Sequence, residues 1–231
     1  SRWRSTVSYA GIVVDYGHGG IIDNEYQTAG KQYTFTDYSD YWIGEGVTNR
    51  KTAAYLIRYA LDAGVRVWDA VARKEWTEAP RWIDLEQRDT SLSSRVTYAN
   101  TSPQRRAIYL SLHSNAIGNS SVGRSQSARG VCFYTSVGQT SSDAIATSLN
   151  ESFKEIVYPD LPIRRGEWTD GDVDYEASFY VLRNTVSAAI LGEVGFFTNI
   201  TDARFLDSSE GQQRIARAYL AGVESFVAKS A

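Results

Sequence analysis

Two histidines, His18 and His113, supply all the imidazole in this chain, so any chemistry that needs imidazole runs through them. Each closes an apolar run. Ala10-Gly-Ile-Val-Val-Asp15 leads through Tyr16-Gly17 to His18, and Ala107-Ile-Tyr-Leu-Ser-Leu112 leads directly into His113. A third run, Ala188-Ala-Ile-Leu191, ends at Glu193. Catalytic zinc takes three protein ligands and keeps a position for water. With one cysteine, Cys132, and two histidines, two imidazoles plus one carboxylate is the common catalytic set within reach. Residues so far apart carry no local signature of the kind two histidines on one helix would give. The residues by themselves leave two readings open: a metal centre completed by a carboxylate, or two hydrogen-bonded histidines near strand ends. Glu193 likewise reads either as an acid–base group or as a solvated strand-end carboxylate.

The elements that must position these residues alternate in type. Short apolar runs at Ala10–Asp15, Val65–Trp68, Ala107–Leu112, Gly130–Tyr134 and Ala188–Leu191 read as strands. Between them, apolar residues recur at helical spacing: Ala53, Leu56, Ile57, Ala60 and Leu61, closed by Gly64; Leu92, Val96 and Ala99; Ile145, Leu149, Phe153 and Ile156; Ile215, Tyr219, Val223 and Phe226. Ser209 and Gln212 have the spacing of a capping box for the last helix. This alternation predicts a single α/β domain, a twisted and mostly parallel sheet flanked by helices on both faces. In such sheets the chemistry gathers at the carboxyl ends of the strands, where both histidines and Glu193 fall.

Composition narrows the function classes. The 231 residues, 42% hydrophobic and 22% charged, suit one folded domain. A net charge of -3 argues against a nucleic-acid footprint, and no apolar run reaches the ~18 residues a membrane span needs. Ser1-Arg-Trp-Arg-Ser5 lacks the apolar core of a signal peptide. A lone cysteine excludes a disulfide scaffold and Cys-rich zinc sites, and Cys132 itself reads as a small buried residue. Ser111 and Ser114 flank His113, but no G-x-S-x-G elbow supports a serine hydrolase.

Five segments, in order, resemble the zinc-dependent N-acetylmuramoyl-L-alanine amidases of type 3. They are Ile12-Val-Val-Asp-Tyr-Gly-His-Gly-Gly20, Glu45-Gly-Val-Thr-Asn49, Asp89 to Asn100 with Arg95-Val-Thr-Tyr-Ala-Asn100, Ser111-Leu-His-Ser-Asn-Ala116, and Val181-Leu-Arg183 followed by Glu193-Val-Gly-Phe-Phe-Thr-Asn199 and Asp202. The resemblance implies one Zn2+ ion held by His18, Glu45 and His113, with Glu193 as general base and then acid. It implies hydrolysis of the amide joining the lactyl group of N-acetylmuramic acid to L-alanine of the peptidoglycan stem peptide. It also implies action at the cell wall, as a phage lysin or bacterial autolysin, by a monomeric catalytic domain covering residues 1–231. A zinc peptidase or carboxypeptidase acting on a stem-peptide bond is the alternative reading, and a non-catalytic wall-binding module a more distant one.

Some positions depart from the family pattern. Tyr16 stands where a proline or small residue is usual, and Gly192 stands where an apolar residue precedes the glutamate. The interval from Ile21 to Gly44 is long, and it contains Asp23 and Glu25 as competing carboxylates. Glu45 is preferred because Asn49 and the helical periodicity that follows match a helix start, which holds a ligand more rigidly than a loop. The same interval carries Tyr26, Tyr33, Phe35, Tyr38, Tyr41 and Trp42. Tyr33-Thr-Phe35 after Gly30 reads as one arm of a glycine-turn hairpin. The insertion either lines a substrate groove or forms a satellite apolar cluster under a loop. Gly118–Arg129 is polar and Ser/Gly-rich, without the helical apolar pattern of an autoinhibitory plug.

Overall fold

Along the first strand, successive side chains enter two different cores. Ile12, Val14 and Tyr16 belong to one, and Val13 to the other, as the two-residue period of an extended strand dictates. The computed structural model describes residues 9–86, 89–164 and 171–230. Ser1–Ser5 lies outside the described residues. In chain order the elements are β1 (Ile12–Tyr16), β2 (Ile21–Ile22), β3 (Glu25–Tyr26), β4 (Gln32–Phe35), β5 (Tyr41–Gly44) and α1 (Glu45–Asp62). Next come β6 (Val67–Asp69), β7 (Lys74–Trp76), α2 (Trp82–Glu86), α3 (Leu92–Ala99), β8 (Ile108–Asn115), β9 (Val122–Gly123) and β10 (Val131–Thr135). The chain continues with α4 (Ser141–Ile156), β11 (Tyr175–Glu176), α5 (Tyr180–Asn184), β12 (Ala189–Phe196), α6 (Ile200–Asp207) and α7 (Ser209–Lys229).

The main sheet has the order β11-β10-β12-β8-β1-β6-β7. Its centre, β12-β8-β1-β6, is parallel, and the edges turn antiparallel where β10 meets β12 and β7 meets β6. The central strands are continuous apolar runs because helices cover both faces. Leu56 and Ile57 of α1, Leu149 and Phe153 of α4 and Ile215 and Val223 of α7 fill one side. Val96 and Ala99 of α3 and Val181 and Leu182 of α5 fill the other, against Trp68 and Tyr109. The expected α/β domain with helices on both faces is therefore what forms. Leu92 departs from its expected place: it is 50% exposed, because it opens α3 at the rim of a cleft.

Element ends explain the other differences. Gly64, at φ +74, takes the left-handed position after α1. The cap of α7 lies one residue earlier than its spacing suggested: Ser208, not Ser209, accepts from the Gly211 amide at 3.0 Å. Ser208 also ends α6, so one residue serves both helices. Strands β8 and β12 run past His113 and Glu193, to Asn115 and Phe196. Both side chains thus sit within the last part of a strand rather than beyond it.

The long insertion resolves into small sheets. Strand β4 pairs with β5 in an antiparallel hairpin and with β9 in parallel. The turn of that hairpin falls at Thr36–Asp40, with Ser39 and Asp40 at positive φ, and Gly30 precedes the first arm instead. Tyr33 and Phe35 are buried and join the main core, so the aromatic alternation is mostly packing. Gly118–Arg129 contains β9 and no helix.

The two departures from the family pattern have physical reasons. The Tyr16 hydroxyl donates to buried Asp69 at 2.9 Å, and the Arg50 guanidinium lies 5.0 Å from its ring centre. At Gly192 a Cβ would lie 2.0 Å from the Tyr219 hydroxyl of α7, so that position accepts no side chain here.

Candidate active site

Strand β1 ends in a turn, Gly17–Gly20, that α1 holds from the side. The Asn49 amide donates to the Gly17 carbonyl at 3.1 Å, and Arg50 donates to the His18 carbonyl at 2.8 Å. This clamp fixes His18 at φ +65, a left-handed conformation that costs a non-glycine residue energy. The turn and helix touch so closely that a Cβ on Gly46 would lie 1.9 Å from the Gly19 carbonyl oxygen. Glycine is required there by proximity.

Glu45, the first residue of α1, turns inward and is fully buried. Its Oε1 accepts from the Ser114 amide at 3.1 Å and lies 3.1 Å from His113 Nδ1. Its Oε2 lies 3.3 Å from His18 Nε2, yet has no hydrogen-bond partner despite its burial. The two imidazoles meet edge to face, centroids 4.9 Å apart. One ligand atom from each of His18, Glu45 and His113 falls within a 4.8 Å group, a set that could hold a metal ion. Asp23 and Glu25, the competing carboxylates, are exposed in the β2–β3 hairpin.

The electrostatics follow from that contact. Burial pushes Glu45 up, but the close approach and charge of His113 and His18 outweigh it and hold the carboxyl at about 2. Burial pulls His113 down, and the Glu45 contact, with the charges of Glu193 and Asp15, carries it above the usual imidazole value.

Glu193 faces the same space from the neighbouring strand. It pairs in register with His113 across the parallel β12–β8 ladder. Burial, opposed by the charge of His113 and reinforced by that of Glu45, pushes its carboxyl up to about 7. Its Oε2 is buried without a hydrogen-bond partner. His18, His113 and Glu193 line an open cleft of about 440 Å³, with Glu45 beneath them. Thr28, Lys31, Asp89, Arg95, Phe179 and Tyr180 are among the other residues that line it. A larger groove of about 530 Å³ beside Trp82 and Lys51 contains none of the four residues.

Behind His113 lies a buried ion pair. Asp15 accepts from Arg95 at 2.8 Å and from the Ser111 hydroxyl at 2.7 Å, and Arg95 also donates to the Tyr16 carbonyl at 2.9 Å. Burial raises Asp15, but Arg95, His113 and Ser111 together hold it below the ordinary carboxylate value. Its share of stability is complete above about pH 4 and is lost as pH falls through the lower folded value. Replacing Arg95 by alanine strands a buried carboxylate and is expected to cost ~3 kcal/mol. Urea midpoints measured across the acid range check this: the variant starts lower near neutrality, and its deficit against the wild type narrows as pH falls and the stranded Asp15 carboxyl takes up a proton.

The other candidates lie outside the chemistry. Ser111 spends its hydroxyl on Asp15, and Ser114 is 3% exposed. Burial pushes the Cys132 thiol up to about 11, which leaves it unreactive near neutrality. Asn115 accepts from the Ala116 amide, and the groups that hold the His18 turn are Asn49 and Arg50. Arg50 escaped sequence reasoning, although a charged residue in the otherwise buried first turns of α1 was its signal.

The profile of the N-acetylmuramoyl-L-alanine amidase family matches residues 12–225. The chain belongs to that family. Among curated proteins, this amidase-family chain is 26% identical over 220 residues to an uncharacterized cell wall amidase of Bacillus anthracis, covering 92% of the chain and 34% of that protein. The chain thus spans about a third of that relative's length. Solved amidases share the fold. The N-acetylmuramoyl-L-alanine amidase of Clostridium difficile 630 superposes with a TM-score of 0.67 at 24% identity, covering 95% of this chain and 97% of that one. An amidase of Nostoc punctiforme gives 0.66 at 20% identity, covering 93% and 95%. The catalytic domain of an endolysin targeting Clostridia difficile gives 0.57 at 16%, covering 92% and 95%.

Proposed function

We propose that this amidase-family domain hydrolyses peptidoglycan at the amide between N-acetylmuramic acid and L-alanine of the stem peptide, using one Zn2+ ion. The observation that carries the reading is the His18–Glu45–His113 group beside Glu193 in a chain of this family. The residues fit a metal: the donor set is of the catalytic zinc type, and the orphaned, buried Oε2 of Glu45 wants a cation. His18, Glu45 and His113 would hold the ion, which when bound lowers the pKa of water and polarises the carbonyl.

The rest of the chemistry falls to this chain's own groups. The Glu193 carboxylate accepts a proton as water oxygen bonds to the lactyl carbonyl carbon. It then delivers that proton to the alanine nitrogen as the C–N bond breaks, leaving a carboxylic acid and an amine. A carboxyl pushed up to about 7 suits both halves of that exchange near neutral pH. Asn49 and Arg50 keep the His18 turn in place, and Phe179 and Tyr180 offer apolar surface to the substrate. Among the described residues no helix is long and apolar enough to cross a membrane, and the proposed place of action is the cell wall.

Mass spectrometry of digested peptidoglycan tests this. The expected products are glycan with free lactyl carboxyls and stem peptides with a free alanine amine. A chelator should abolish both, and added zinc should restore them. Shortened stem peptides still joined to glycan would support a carboxypeptidase instead. Binding without any product, insensitive to the chelator, would support a wall-binding module.

A further inference from the structure

We infer that Lys31 is a specificity-determining residue that binds a carboxylate of the stem peptide beside the cut bond, an inference that rests on the amidase reading above. Lys31 lines the cleft together with His18, His113 and Glu193. Its backbone is tied to the site: its carbonyl accepts from the Glu45 amide at 2.9 Å and the Tyr26 hydroxyl at 2.7 Å, and its amide donates to Thr28 at 2.8 Å. The root of the side chain is therefore fixed one hydrogen bond from the residue that opens α1.

The ammonium group itself is uncommitted. It makes no ion pair with any described residue, whereas Arg95, the other described cation lining the cleft, is engaged by Asp15 and Asp89 at 2.8 and 2.9 Å. Lys31 lies close enough for its charge to act on the Glu193 carboxyl. A mobile point charge on a flexible stem suits a carboxylate of the bound ligand. It does not suit charge developing in the transition state, which calls for donors fixed in advance. In a stem peptide the residue after alanine bears a carboxylate, or its amide where the wall is amidated. One extended residue spans ~3.5 Å, so that group lies a short step from the cut bond. The insertion thus reaches the substrate through Lys31 and Thr28, while its buried aromatics Tyr33 and Phe35 serve the core.

The test uses two soluble muramoyl peptides that differ only in carrying a carboxylate or a primary amide at the residue after alanine. The wild type is expected to favour the carboxylate about tenfold in kcat/KM, mainly through KM, the scale of a hydrogen bond to a charged group. Lys31→Met should bring that ratio close to one, and Lys31→Arg should keep most of it. A ratio unchanged in Lys31→Met, or absent in the wild type, overturns the inference. Calorimetry of both intact peptides on Glu193→Gln protein reads the same preference without turnover. If the wild type cuts neither peptide at the muramoyl bond, the amidase reading falls on its own, and the calorimetric ratio still decides whether Lys31 selects the carboxylate.

Discussion

Glu193→Gln protein is expected to retain its zinc and its fold while losing hydrolysis by at least ~100-fold, the usual contribution of a positioned general base. Glutamine matches the glutamate in shape but can neither accept the water proton nor return it to the leaving nitrogen. Among the described residues that line the cleft, the other carboxylate, Asp89, is held by Arg95 at 2.9 Å. Both histidines already face Glu45, and the chain has no third. Glu193→Ala should behave alike, with an opened pocket in addition. Metal analysis of the purified variant, alongside product release from whole sacculi, checks the prediction. Near-normal turnover with zinc bound would remove Glu193 from the mechanism.

Gly17→Ala is expected to be almost as damaging, by a different route. An ideal Cβ on Gly17 would lie 2.1 Å from His113 Cε1 and 2.4 Å from its Nε2. The backbone there is not left-handed, so alanine brings no conformational penalty of its own. The collision is with a ring, which can swing away without unfolding the domain. In doing so it abandons Glu45. Misplacing one imidazole is expected to lower zinc affinity and activity by ~100-fold, with the thermal midpoint little changed. Metal titration against a competing chelator, with thermal unfolding of the apo-protein, separates this from simple misfolding. A variant with full zinc affinity would show that the turn relaxes instead of the ring.

Much of this site was legible in the sequence because its parts lie on elements with strong local patterns. Apolar runs marked β1, β8 and β12, and helical periodicity with Gly64 as terminator marked α1. Glu45 could be preferred over Glu25 because a helix followed it, and in the fold its side chain turns inward between the two histidines. What stayed hidden depends on tertiary contact. Arg50 reaches the His18 carbonyl and the Leu85 carbonyl, and no periodicity reports where a buried guanidinium finds its acceptors. Asp15 could be read as a strand residue, but its pairing with Arg95, 80 positions away, could not. The β4–β5 hairpin was half visible: its alternation showed, while its turn, built on Ser39 and Asp40 rather than glycine, did not.

The ladder that joins His113 to Glu193 has a geometric consequence. These residues sit opposite one another on hydrogen-bonded parallel strands, and such strands keep a spacing of ~4.8 Å whatever their side chains. The spacing between the backbones that carry Glu193 and His113 is therefore set by the sheet itself. The β2–β5 excursion and the approach to Phe179 lie outside that ladder, and changes confined to their exposed surfaces leave this spacing as it is.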